Sequence, residues 1–340
     1  VTRVRRLSLS EFFNGIWYGK SALRFLLWPV AAVYRVAAEL RRAAYARGWS
    51  KSVTVAVPVI VVGNVSVGGT GKTPFVIWLA AELKRRGRRV GIVTRGYRGQ
   101  GTEWPRAVTE ASDPREVGDE PVLLVRRTGC AVVAGPDRVA CVENLLADQR
   151  VDVVVSDDGL QHYRLARNFE IAVVDGVRGM GNGLCLPAGP LREPPSRLQE
   201  VDAIVVNGGQ FGHVGVFRAQ AVVTRVYALK GGAERTLDSF RREPVHAVAG
   251  IGNPQRFFDL LRDEGLDVVE HPLEDHAELA PEHLAFDDRG AVLITEKDAV
   301  KCEGFAPEGV WCVVVDLEFA ADQATRLMGL VLRGIGARVS

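Results

Sequence analysis

Gly68, Gly69 and Gly71 lead directly into Lys72 and Thr73, within a run (63–73, GNVSVGGTGKT) that follows an apolar stretch and opens a helical pattern. A glycine-rich turn between a strand and a helix is where backbone N–H groups and a helix N-terminus converge on an anion. In such a turn a lysine supplies a point charge for the β- and γ-phosphates of ATP, and a threonine hydroxyl can ligate Mg²⁺. The expected phosphate-binding residues are Ser66, Val67, Gly68, Gly69, Thr70, Gly71, Lys72 and Thr73. One position departs from the GxxxxGK[ST] spacing, which puts glycine where this chain has Ser66, so the first turn of the loop is expected to differ. The second half of such a site is an acid at the end of a neighbouring buried strand. VDVVVSDDG (151–159) supplies Asp157 and Asp158 there. Adjacent carboxylates at that place are costly unless a cation neutralises them, so one of the two should hold Mg²⁺, directly or through water.

Other groups carry less information by themselves. Asp119, ahead of Glu120 and Pro121, suits a helix N-cap. Asp275 and His276 follow a stretch that reads as a strand. Arg95, Arg138 and Arg192 follow or open elements near the strand ends, where an anionic headgroup would lie; the competing reading is that they are solvated or paired with acids.

The elements that must position these residues read as an alternation. A β-branched run (53–62) forms a strand that starts after Pro58. A helix over 72–86 carries Phe75, Leu79 and Leu83 on one face, and 90–94 is the next strand. Helices over 120–127 and 136–148 alternate with strands at 130–134 and 151–156, and 169–175 and 201–207 are further strands. Continuous apolar strands alternating with helices predict an α/β, P-loop NTPase-like fold, a mostly parallel sheet covered by helices on both faces. After Gly208 the pattern changes. An exposed strand (221–227) precedes a second, smaller β-α-β series with strands at 246–250, 267–270 and 292–295 and a helix at 255–264. The expected division is 1–52, 53–212 for the core, and 213–340 for a smaller C-terminal α/β domain. The Gly/Pro-rich stretch 179–197 reads as a long ordered loop over the site.

Composition sets outer bounds. Charged residues at 25% and apolar residues at 47% suit a folded soluble protein, and a net charge of +2 names no partner. The distribution says more: residues 1–52 hold ten Lys/Arg against Glu11 and Glu39, a local +8 that leaves −6 for the rest. The apolar run 25–34 (FLLWPVAAVY) is ten residues long, about half of what a membrane-spanning helix needs. A secretory leader is the competing reading, but Glu11 and Arg24 interrupt it and an ATP motif downstream calls for the cytosol. Trp17, Tyr18, Trp28, Tyr34, Tyr45 and Trp49 interleave with basic residues, as an N-terminal amphipathic helix at a membrane interface would favour. Cys130, Cys141, Cys185, Cys302 and Cys312 form no CxxC pair and are expected to be reduced, buried thiols, with no zinc site and no disulfide framework. No basic stripe with stacking aromatics lies outside the N-terminal segment, so no nucleic-acid partner is expected, and no protein partner is implied.

The strings VVGNVSVGGTGKTP, VTRGYRG, GDEPVLL, SDDGLQHYRLARNFEIAVVDG, GNGLCLPAGPLRE, DAIVVNGG, AGIGNPQRFF and TEKDAVKC follow one another along nearly the whole chain. Together they resemble the signatures of the tetraacyldisaccharide 4'-kinases, the lipid A kinases of Gram-negative bacteria. The resemblance implies transfer of the ATP γ-phosphoryl group to the 4'-hydroxyl of a tetraacylated glucosamine disaccharide 1-phosphate, giving lipid IVA. It implies phosphate and Mg²⁺ roles for Lys72 and Thr73, with Glu120, Asp157 and Asp158 around the metal. Asp119 matches the family's general base and His276 its orienting partner, and that family tolerates a residue other than glycine at position 66. An acylated substrate further implies that the enzyme works at a membrane surface, on the cytoplasmic face of the inner membrane, as a peripheral or monotopic protein. The rival reading is a membrane-associated regulatory ATPase of the partitioning type; those proteins place a lysine where this chain has Val67.

Overall fold

The structure is a computed structural model that describes residues 9–336 except 276 and 289, with side chains described from Phe12 onward. His276 therefore lies outside the described residues. Two helices, α1 (Leu9–Trp17) and α2 (Leu23–Ala46), precede the sheet. There follow β1 (Val59–Gly63), α3 (Lys72–Arg85), β2 (Val90–Thr94), β3 (Arg106–Val108), α4 (Pro114–Val117), α5 (Asp119–Thr128), β4 (Ala131–Ala134) and α6 (Arg138–Asp148). Next come β5 (Val153–Ser156), β6 (Phe169–Asp175), β7 (Ala203–Asn207), β8 (Phe217–Ala228), β9 (Glu234–Arg235), β10 (Val245–Ala249) and α7 (Pro254–Asp263). The chain ends through β11 (Val268–Pro272), β12 (Val292–Thr295), α8 (Glu296–Cys302), β13 (Val310–Phe319) and α9 (Ala321–Gly336).

Local chemistry sets several boundaries. β1 starts just after Pro58, whose carbonyl accepts from Val154 N, while 53–57 contributes only an isolated bridge from Val53 to Leu165. β5 begins two residues later than the apolar pattern suggests, because the Asp152 carboxylate turns away to accept from the Arg89 backbone N–H and guanidinium. Asp137 caps α6 by accepting from Val139 N and Ala140 N, and Thr295 caps α8 by accepting from Asp298 N. Asp119 does not cap α5. Gly118, at φ +94°, takes the cap position, and Asp119 is the first helical residue, accepting from Glu120 N at 2.9 Å.

The thirteen strands of the described residues join one sheet, ordered β11-β10-β12-β13-β8-β7-β6-β1-β5-β2-β4-β3, with β9 paired to β8. From β4 to β8 the strands run parallel, and β3 closes that edge antiparallel. β8 pairs with the carboxyl half of β7 (Val205↔Phe217 to Asn207↔Ala219), then runs past it to pair antiparallel with β13 as far as Trp311↔Ala228. β12, β10 and β11 run parallel to β13. The second parallel block is thus attached beyond the carboxyl edge of the first and points back at it. Loops at the carboxyl ends of both blocks face one another across a cleft, with β8 and β13 as the connecting strands.

Alternation along β1 sends Ile60 and Val62 to one face, against α3, α5 and α9, and Val59 and Val61 to the other, against α6. α9 returns from the second block to cover the first: Leu327, Met328, Val331 and Ile335 join that core, and Gly334 lies so close to Phe169 that a Cβ would strike the ring. The sequence patterns marked no element over 296–336; α8, β13 and α9 fill it.

α1 and α2 dock on the 179–197 loop through Trp17 Nε1 donating to Pro187 O (2.9 Å) and Tyr34 OH donating to Arg192 O (3.2 Å). By the 3.6-residue period Leu26, Val30, Val33 and Leu40 share one face of α2. That face is turned to solvent, at 58–75% exposure. Among the described residues no helix is long and apolar enough to cross a membrane.

Candidate active site

The phosphate loop spans the turn from β1 into α3. Gly71 adopts the left-handed region at φ +89° and lies against Asn207 from the end of β7, where a Cβ would collide with the side-chain amide. That amide donates to Thr70 O at 3.2 Å and holds the loop's last turn. The other flank is strapped by the 179–197 loop: Val67 N donates to Pro190 O (2.8 Å), Arg192 N donates to Val65 O (2.7 Å), and Ser66 forms an antiparallel bridge with Leu191. Ser66 sits in bridge pairing and is not among the residues with positive φ. A side chain is therefore accommodated where the common pattern has glycine.

The two acids at the end of β5 are neighbours in sequence but not in environment. Asp158 stands at φ +48°, which turns its carboxylate toward the loop, 3.5 Å from Lys72 Nζ and 3.0 Å from the Arg192 guanidinium. Burial alone would raise its pKa, but the Lys72 and Arg192 charges outweigh burial and hold it well below the usual carboxylate range. Asp157 is 1% exposed; its Oδ2 accepts from Thr94 Oγ1 at 3.3 Å and its Oδ1 has no hydrogen-bond partner. Burial, then the charges of Glu120 and Asp158, push its carboxyl up. Behind them Arg138, 2% exposed, donates to Gly135 O (2.6 Å) and Asp157 O (3.2 Å), tying together the turns after β4 and β5. Arg95 is exposed, with its guanidinium 5.7 Å from the Tyr97 ring centre. His162 is held neutral down to about pH 4, by burial first and by the Arg138 charge second.

α5 opens toward this site with Asp119 (5% exposed) and Glu120, and meets α8 of the second block. Lys297 Nζ lies 3.0 Å from Glu120 Oε1 and Lys301 Nζ 3.8 Å from Asp119 Oδ2. Asp298, fully buried, accepts from Gly250 N (3.0 Å) and Thr295 Oγ1 (2.7 Å) and pairs with Lys301 (2.8 Å), which fixes α8 to the loop after β10. That loop faces the phosphate loop directly: a Cβ on Gly252 would come within 2.6 Å of Gly69 N. Asn253 donates to Asp175 (3.2 Å), Arg256 to Asn207 O (3.0 Å), Arg178 to Gly252 O (3.4 Å) and Arg98 to Asp275 O (2.8 Å), all across the cleft.

The structure thus brings Lys72, Thr73, Asp119, Glu120, Asp157, Asp158 and Arg192 to one cleft, with Arg138 as a buried support beneath Asp157. The sequence reading assigned no role to Asn207, Asn253, Asp298, Lys297 or Lys301. The signal for the last three was present in TEKDAVK, where a threonine cap ends an apolar strand and charges follow at helical spacing.

Several buried polar atoms around the loop have no partner in the protein: Asn64 Oδ1, Thr70 Oγ1, Asp157 Oδ1, Asn207 Oδ1 and Asn253 Oδ1. Unmatched buried polar groups concentrated at one cleft fit a polar ligand that supplies the missing bonds. Among the described residues no cluster of three or more His, Cys, Asp or Glu side chains is arranged to hold a metal alone. Mg²⁺ at a nucleotide needs no such cluster, since one or two carboxylates plus phosphate oxygens and water suffice, and Asp157 with Thr73 fits that donor set.

The comparisons with known proteins point to one family. The profile described as Tetraacyldisaccharide-1-P 4'-kinase matches residues 23–332. A tetraacyldisaccharide 4'-kinase of Nitrosococcus oceani is 48% identical, covering 93% of each chain. That of Alkalilimnicola ehrlichii is 52% identical over 88% of this chain and 89% of its own length. The crystal structure of LpxK from Aquifex aeolicus in complex with ATP superposes with a TM-score of 0.77 at 29% identity, covering 92% of this chain and 99% of that one. A family match over most of the length, on a fold with a phosphate loop facing a second lobe, establishes that this chain belongs to the tetraacyldisaccharide-1-P 4'-kinase family.

Proposed function

We propose that the cleft between the two parallel blocks transfers the γ-phosphoryl group of ATP to the 4'-hydroxyl of a tetraacylated glucosamine disaccharide 1-phosphate, giving lipid IVA. The observation that supports it best is the meeting of the Lys72 loop and the Asp119–Glu120 helix start at one cleft closed by α8. Lys72, held by Asp158 here, is assigned to the β- and γ-phosphates, and the backbone of 66–73 to cradling them. Thr73, Asp157, Asp158 and Glu120 are assigned to Mg²⁺, with Asp157 the direct ligand because Asp158 is already neutralised by Lys72 and Arg192. Bound there, Mg²⁺ neutralises charge on the phosphate oxygens. Asp119 steers the proton of the acceptor hydroxyl as its oxygen bonds to the γ-phosphorus and the bond to the β-phosphate oxygen breaks, with ADP leaving. His276 keeps the partner role that the family resemblance assigns it. Arg95, exposed at the carboxyl end of β2, reads the 1-phosphate, while Arg192 stays with Asp158 once the phosphates have taken Lys72; Arg138 supports the Asp157 turn. Movement about β8 and β13 would close the second block over the nucleotide and exclude water.

The apolar face of α2, with Arg41 and Arg47 at its borders, is assigned to the cytoplasmic face of the inner membrane, where an acylated substrate resides. The test is transfer from labelled ATP to the lipid disaccharide in detergent micelles. Phosphorylated lipid is the expected product, and free phosphate alone would point to a regulatory ATPase. Lys72→Ala should lower turnover by about 10²–10³-fold, and near-normal turnover would remove Lys72 from the phosphate site.

A further inference from the structure

Two lysines on α8 cross the cleft from the second block. Lys297 and Lys301 are four residues apart and share a helix face, and that face meets the first turn of α5. Their side chains are 14% and 12% exposed. They are anchored differently. Lys301 is fixed within its own block, by Asp298 at 2.8 Å and by the carbonyls of Gly250 and Ala277 at 3.4 Å. Lys297 reaches Glu120 at 3.0 Å, and although burial works against its charge, the carboxylates of Glu120, Asp119 and Asp275 keep it ammonium.

The charge distribution around the phosphate loop makes this crossing matter. The first block carries Asp119, Glu120, Asp157 and Asp158 close to the loop, and its own Lys72 and Arg192 both go to Asp158. The described ion pairs of Asp119 and Glu120 come from α8. Glu120 in turn is one of the charges acting on Asp157. An acid cluster assembled on one lobe thus obtains part of its balancing charge from the other.

We propose that Lys297 is a positioning residue for phosphoryl transfer, whose ammonium crosses the cleft to fix Glu120 and the first turn of α5, so that Asp119 is presented to the acceptor hydroxyl and Glu120 to the nucleotide side only when the two blocks meet. The proposal rests on the kinase reading above. Lys297 acts through carboxylates and not on the phosphates. The same helix pair offers an internal control for mere clamping. Arg127 pairs with Glu296 at 2.6 Å and also with Asp316, and Arg126 pairs with Glu303 at 2.7 Å. Seven residues separate Glu120 from Arg127, roughly 10 Å along α5, which takes these contacts away from the chemistry.

The experiment measures kcat and KM for transfer, ATP affinity by calorimetry and the melting temperature, on the full chain. Lys297→Met, which keeps the stem and removes the charge, should lower kcat by about 30-fold or more with ATP affinity within about threefold. Lys297→Arg should recover at least about tenfold of that loss, since a guanidinium restores charge and reach. Arg127→Met should lower the melting temperature while leaving kcat within about threefold. If Lys297→Met does not fold, Lys297→Gln carries the same comparison. Near-wild-type kcat in the neutral variant overturns the proposal, and so does an equal kcat loss in Arg127→Met, which would make α5–α8 a clamp only. A wild-type protein that makes no phosphorylated lipid would instead defeat the kinase reading itself.

Discussion

Asp157→Asn should make the ligand-free protein more stable while removing its activity. The reasoning starts from the environment of that carboxylate: it is 1% exposed, one oxygen has no hydrogen-bond partner, and Glu120 and Asp158 act on it as like charges. Asparagine has nearly the same shape, keeps an oxygen for the Thr94 hydroxyl and carries no charge. Leaving a buried polar group unmatched costs about 1–3 kcal/mol, and more when it is charged. The neutral variant should therefore gain on the order of 1–3 kcal/mol without ligand, a rise of a few degrees in melting temperature for a chain of this size. Adding Mg²⁺ and ATP reverses the ranking. At about 100 times the dissociation constant a ligand stabilises the wild type by roughly 2.7 kcal/mol, and the variant, lacking the carboxylate assigned to the metal, should gain less. Transfer should fall by about 10²-fold or more, as loss of a charge-stabilising group does. Scanning calorimetry with and without Mg²⁺ and ATP, beside the micelle transfer assay, reads all three outcomes. A ligand-free Asp157→Asn protein less stable than wild type would refute the reasoning, as would transfer within tenfold of wild type.

His162, held neutral down to about pH 4, makes stability depend on acid. Between the unfolded value near 6.5 and that lowered value the unfolded chain binds more protons, so stability falls as pH drops through this window. His162→Gln should flatten the fall, and denaturation midpoints with an unchanged slope between these pH values would count against it. On α2, Leu26 and Val33 are 75% and 70% exposed. Replacing both with aspartate should leave micelle turnover and melting nearly unchanged but weaken sedimentation with anionic vesicles by at least about tenfold, given roughly 1.5–3 kcal/mol per buried apolar side chain. Unchanged vesicle binding would move the attachment surface elsewhere.

Features written in adjacent residues were legible from the sequence. The phosphate loop, the strand that feeds it and the helix it opens need only a glycine-rich turn between a β-branched run and a 3.6-residue apolar period, and each is found near its expected limits. The parallel core was legible for the same reason, because strands covered on both faces are continuous apolar runs. Partners far apart in the chain were not. Periodicity says that 221–227 is a strand, but not that it extends back to Phe217, joins β7 briefly and then carries β13 running the other way. Glu120 and Lys297 are 177 residues apart, and nothing in either local pattern names the other. Asp157 and Asp158 show the division at its finest: their types and their place at a strand end were legible, while the different surroundings of the two carboxylates were not. Asp158, at a left-handed φ, has its carboxylate beside Lys72 and Arg192, whereas Asp157, one residue past the end of β5, is buried with Glu120 acting on it as a like charge. Charges so close acquire different roles only when the folded chain decides which of them meets a cation.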